Sequence, residues 1–226
     1  MMIEAEKIFK KSISQMQHNM IMYDHFTNIL HIPSTDVSDL LRYQLIYAVS
    51  AFDKLVHDLI IVGVQEIVVG KRKPTCKFLS HPFKASTFLS YISDRDKHST
   101  FSPDETAEFL IRNEMMQKLS TLSFQAPDKL KDGLSYIWDE SHKMQLIADD
   151  MIQSNSSKGE KEIILKQRLQ LIIDRRNQIV HEGDINPMTN EKREITKEMT
   201  VETVEFIEKL GVSISKFVID NSCYVS

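Results

Sequence analysis

Apolar residues recur at steps of three and four along most of the chain. From residue 2 to about 30, Ile3, Ile8, Phe9, Ile13, Met16, Met20, Tyr23, Phe26 and Ile29 keep that spacing, which predicts an amphipathic helix. Pro33 ends it, because the residue before a proline avoids helical backbone angles. Asp36 is placed to cap a second helix. There, Val37, Leu40, Leu41, Leu45, Ala48, Phe52, Leu55, Val56, Leu59 and Ile60 form an unbroken apolar stripe. The stripe continues to Val69, with Gly70 as a left-handed stop and Pro74 beyond. The β-branched run Ile60 to Val69 also fits a short strand. The stripe stays in phase through it, which favours helix.

Further along, a short helix is expected around His81 to Ser93. Ser102-Pro103-Asp104-Glu105 has the parts of a helix start: a capping hydroxyl, proline at the first helical position and a glutamate placed to close the box. That helix should run to about Leu122, and another from Pro127 to Ile152 with a break near Trp138. A polar loop, residues 153–159, precedes a helix from about 160 to 182 with Ile164, Leu165, Leu169, Ile172, Ile173 and Val180 inward and Gly183 at its end. After a polar loop over 184–197, a last helix starts near Thr200. The expected fold is all-α, one helical domain over 1–226 with no internal repeat. Six glycines and six prolines are too few for the turns of a sandwich or barrel.

Net charge is −4, so contact with a polyanion must come from a local cluster of cations. Cys76 and Cys223 form no C-x-x-C pair and suggest no disulfide framework, which points to a reducing cytoplasm. Charged residues occupy the N-terminus where a signal peptide would need an apolar core. The most apolar run, Leu59 to Val69, is short and interrupted by Gln65 and Glu66, so no membrane span is expected. Walker-type, dinucleotide, zincin and nucleophile-elbow motifs are all missing from the sequence.

The stretch with chemical content is Arg175-Arg176-Asn177-Gln178-Ile179-Val180-His181-Glu182-Gly183-Asp184. Helical geometry stacks Asn177 and His181, four apart, on one face, with Arg176 one step round the axis. His181 falls in the last turn, where an imidazole can leave the helix surface. These parts suit metal-free RNA cleavage. A histidine can take the proton of a ribose 2′-hydroxyl or deliver one to the leaving oxygen. An arginine can grip the phosphate, and an amide can orient the pair. By residue type alone, an arginine and a histidine at a helix end also read as a C-terminal cap.

This stretch resembles the HEPN superfamily, whose signature is arginine, a polar residue often asparagine, a few residues, then histidine. The closer likeness is to the RiboL-PSP HEPN subgroup, in which an Arg-Arg-Asn…His…Asp run is typical. The helix with Ala48 to Leu59 and the order of helices add to the likeness. The resemblance implies a HEPN-like bundle with extra helices. It implies Arg176, Asn177 and His181 as catalytic residues, with Arg175 and Asp184 at the substrate-binding edge. It further implies an endoribonuclease needing no metal or cofactor, acting as a homodimer whose motifs face each other across a cleft. The implied setting is a prokaryotic toxin or antiviral defence system, with RNA as substrate and an antitoxin or defence protein as a further partner. Some family members are catalytically silent RNA- or protein-binding modules, and that reading stays open beside the enzyme.

Other residues have blander readings beside functional ones. Asp53 and His57 either line the cleft or form a boundary pair. Lys71-Arg72-Lys73 is either an RNA contact or a solvated basic turn. His18 and His25 lack a third metal ligand. Trp138 reads as a packing residue. Aromatic and basic residues are not interleaved, so no separate nucleic-acid surface can be read.

Overall fold

The long apolar stripe of the second helix organises everything around it. The computed structural model describes residues 1–96 and 103–220. Among these, every regular element is a helix: α1 (Met2–Asp24) closing in a π-helical turn (His25–Ile29), α2 (Ser38–Val68), α3 (Cys76–Leu79), α4 (Ala85–Asp96) and α5 (Pro103–Leu119), then α6 (Pro127–Leu134), α7 (Lys143–Met151), α8 (Lys158–Glu182) and α9 (Lys197–Asp220). At 31 residues, α2 is about 46 Å long at the usual helical rise. It packs against α1, α9, α5, α8 and α6. Leu41, Leu45, Ala48, Val49, Phe52, Leu55, Val56, Leu59, Ile60 and Val64 are buried along it. Its β-branched end is helical, because Ile60, Val64 and Ile67 continue the same buried face.

The core joins these α2 residues to Phe9, Ile13 and Met16 of α1, Leu165 and Leu169 of α8, and Ile207, Leu210 and Ile214 of α9. Trp138, between α6 and α7, is a packing residue, its ring stacked on Phe217 at 5.6 Å between centroids. The expected break near Trp138 is real. α3 was not legible in the periodicity, since four residues are too few to show a period.

Several expectations need correction. Asp36 does not cap α2: its own N–H bonds to the Pro33 carbonyl at 3.0 Å in a preceding turn. Val37 stands at the cap position without a side-chain bond. Ile3, Ile8 and Ile29 of α1 are exposed, as are Ile164 and Val180 of α8. The bundle covers each outer helix on a narrow strip, so a stripe drawn from hydropathy alone is too wide. The cap expected from Ser102 lies outside the described residues. Among the described residues, no helix is long and apolar enough to cross a membrane.

α1, α2 and α9 meet closely at Gly211. A Cβ there would overlap the Phe9 ring and press on Leu55. Gly211→Ala is therefore expected to destabilise by about 1–3 kcal/mol through overpacking, read as a lower urea midpoint at unchanged slope. An unchanged midpoint would mean that the Phe9 ring has room to turn aside.

Candidate RNA-cleaving site at the end of helix α8

α8 is set at both ends by local chemistry. Ser157 and Glu160 form a full capping box at its start. At its end, Gly183 adopts φ +61 and donates its N–H to the Gln178 carbonyl. Asp184 follows, also left-handed at φ +62, and its N–H reaches the same carbonyl at 3.0 Å. The chain then doubles back through an antiparallel bridge between Ile185 and Lys192. What reads as a featureless polar loop is thus a tight hairpin, held by Asn186 N–H to Glu191 O and Arg193 N–H to Asp184 O, both at 2.8 Å. Gly183→Ala should cost about 1–2 kcal/mol, because an alanine Cβ is strained at this φ. Urea unfolding checks this, and a cost near zero would show that the turn can relax.

Asp184 is the anchor of this region. It has no exposed surface. Arg42 of α2 donates its Nε to Oδ2, and Arg175 of α8 donates to both carboxylate oxygens, one at 2.9 Å. Both guanidiniums reach further acceptors as well. Arg42 bonds Ser38 Oγ at 2.7 Å and the Arg193 carbonyl at 2.6 Å, and Arg175 bonds the Glu194 carbonyl at 3.0 Å. Lys192 adds an outer bond to Asp39, and this hydrogen bond, first among its causes, holds the Asp39 carboxyl below its ordinary pKa. One buried cluster therefore ties α2, the end of α8 and the hairpin into a unit. Arg175 and Asp184, expected at the substrate-binding edge, are spent on each other here; their geometry suits positioning. Arg42 was missed in the sequence, where it stands as one of several charges along an apolar stripe.

The expected catalytic residues lie just outside that cluster. His181 is exposed and makes no hydrogen bond or ion pair among the described residues. Arg176 is half-buried and donates from Nη1 to Asn177 Oδ1 at 3.1 Å. Its Nε is buried and finds no acceptor among the described residues. Arg176 and His181 do not share a face: five residues separate their directions by about 140° around the axis. Asn177 lies between them, about 40° from His181. One copy of the chain thus presents a guanidinium with one unsatisfied nitrogen on one side of the helix end and, on the other, an imidazole with no partner among the described residues.

Asp53, His57 and Arg72 turn out to be structural. Asp53 accepts from Phe124 N–H at 2.7 Å and Gln125 Nε2 at 3.1 Å, and the His57 ring packs on Phe124. Arg72 is buried, donating to the carbonyls of Ile137 at 3.1 Å and Val218 at 3.0 Å, so it joins the core at the chain's far end. A cavity of about 820 Å³ lies between the end of α1 and residues 192–198. Arg42 borders it, but Arg176, Asn177 and His181 do not. Among the described residues, no group of three His, Cys, Asp or Glu side chains gathers closely enough to hold a metal ion.

A family model described as RiboL-PSP-HEPN matches residues 10–220. No curated protein matches the chain, and no solved structure does.

Proposed function

The chain belongs to the RiboL-PSP-HEPN family, and from that premise we propose that it is a metal-independent endoribonuclease. Its Arg176, Asn177 and His181 form half of a site that a second copy completes. The observation that carries this reading is the pairing of an arginine whose Nε finds no acceptor with an unengaged imidazole at one helix end, among the described residues. A buried N–H without a partner is costly, and the guanidinium of this half-buried side chain is a fitting donor to a phosphate once it shifts outward.

In the reaction, a ribose 2′-oxygen attacks the adjacent phosphorus and the bond from phosphorus to the 5′-oxygen breaks. The products are a cyclic phosphate and a free 5′-hydroxyl. His181 takes the proton from the 2′-hydroxyl or gives one to the leaving oxygen. Arg176 stabilises the charge that builds on the phosphoryl oxygens. Asn177 holds Arg176 in place. Because Arg176 and His181 diverge around α8, a two-fold pair of chains offers the shorter route to one phosphate, Arg176 from one copy facing His181 from the other.

The test is incubation of the purified protein with mixed RNAs in excess chelator. Cleavage is expected, with a dimer by sedimentation. A cellular role as toxin or defence effector is part of the proposal; induced expression should then arrest growth, and His181→Ala should relieve the arrest. The second reading is a catalytically silent HEPN module, favoured by the Arg176–Asn177 bond that engages the two with each other. No cleavage under any ionic condition would select it.

A further inference from the structure

Two strips of exposed side chains face each other where α1 and α2 run side by side. On α1, Lys11, Ser14, Gln15 and His18 recur at helical steps on the solvent side, with Asn19 beside them. On α2, Tyr43 and Tyr47 sit four apart, their rings 6.1 Å between centroids and within 18° of parallel. They are 59% and 39% exposed, although the core takes up most large apolar groups of this helix. Between the strips lies a groove of about 610 Å³.

We propose that this groove is a docking subsite for single-stranded RNA, with the Tyr43–Tyr47 pair as a stacking platform for unpaired bases. This rests on the ribonuclease reading and names where the substrate strand runs. Tyrosine rings offer flat faces to any base. Gln15 and Asn19 carry both donors and acceptors, which base edges require. Lys11 supplies a cation for the phosphate backbone in a chain whose net charge is otherwise negative. Paired bases bury their faces in the stack, so the platform selects single strands over duplex.

The platform is also coupled to the proposed cleavage site. Tyr43 follows Arg42, which holds Asp184, three residues past His181. Summing those links places the backbone at Tyr43 within about 25 Å of that at His181, a span that a few nucleotides can cover.

The probe is a labelled single strand of about 12 nucleotides, within the usual range for such grooves. Its 2′-O-methyl sugars prevent cleavage and keep binding separate from catalysis. It is titrated against the full-length protein by fluorescence anisotropy. Tyr43→Ala and Tyr47→Ala are each expected to weaken binding about 5- to 100-fold, the loss of one stacked base. Tyr43→Phe should bind nearly as well as the wild type, and the matching duplex should bind more weakly. Lys11→Ala should flatten the salt dependence by about one phosphate contact. Wild-type affinity in both alanine variants overturns the platform, as does tighter binding of the duplex than of the single strand. Conversion of the protein to monomer by Tyr43→Ala also overturns it, since the face would then be occupied by a second copy. Binding that depends on the tyrosines, in a protein that never cuts RNA, supports the platform and removes only the nuclease reading.

Discussion

His181→Ala is expected to cut RNA about 100- to 10,000-fold more slowly than the wild type, the range by which a positioned acid or base accelerates proton transfer. It should unfold at nearly the same urea concentration. The two halves belong together. The imidazole is exposed and holds no other group of the described chain, so its removal should change stability by less than about 0.5 kcal/mol. A rate effect without a stability effect is the signature of a group that meets only substrate. Arg176→Lys is the companion variant. A lysine keeps the charge but loses the forked grip on a phosphate, so activity should stay low. Arg176→Ala is less clean, because the half-buried stem packs as well as the head binds. Cleavage that survives His181→Ala unchanged would remove the histidine from the mechanism.

The second large effect concerns Asp184, and here stability should fall first. Asp184→Asn preserves shape, and asparagine tolerates the left-handed backbone at this position. It removes the one negative charge shared by Arg42 and Arg175. Arg42 would keep only the exposed Asp39, 3.4 Å away, as a counter-ion, and breaking a buried ion pair from one side costs about 3–5 kcal/mol. In a chain of this size, that lowers Tm by roughly 6–20 °C. Activity should fall as well, because the hairpin would lose its tie to α2 and the last turn of α8 its tether. Replacing Arg42, Arg175 and Asp184 together by apolar residues of similar volume should restore most of the stability, since no buried charge then remains. It should not restore full cleavage if the cluster also sets the angle of the helix end. A midpoint for Asp184→Asn within about 1 kcal/mol of the wild type would show that water reaches the cluster and screens it.

Much of this protein could be read without coordinates, but unevenly. The helical period located α1, α2, α5, α8 and α9 within a few residues, because a period of three to four is a local property of one segment. Gly70 and Gly183 marked helix ends correctly, because a left-handed residue after a helix is a local need. The short motif from Arg175 to Asp184 pointed to the family for the same reason: it is contiguous. Local signals overreached at Asp36, where the preceding turn took the backbone first, and at Ile3, Ile8, Ile164 and Val180, whose burial depended on which neighbour arrived.

What sequence alone determined is therefore the class of fold, the family and the ten-residue stretch that resembles its motif. Tertiary structure alone decided which of those side chains are paired and which are left exposed. Asp184 became an anchor because Arg42, 142 positions away, folds onto it, and no spacing rule reaches that far. Arg175 was drawn into the same cluster, while Arg176, one step round the helix, was left with an unsatisfied nitrogen. The tyrosine groove likewise exists only where α1 and α2 run side by side, so no single segment could show Tyr43 and Tyr47 beside Lys11. A sequence records which groups are present and which share a helix face. Which groups neutralise one another, and which stay free for a substrate, depends on contacts between segments distant in the chain.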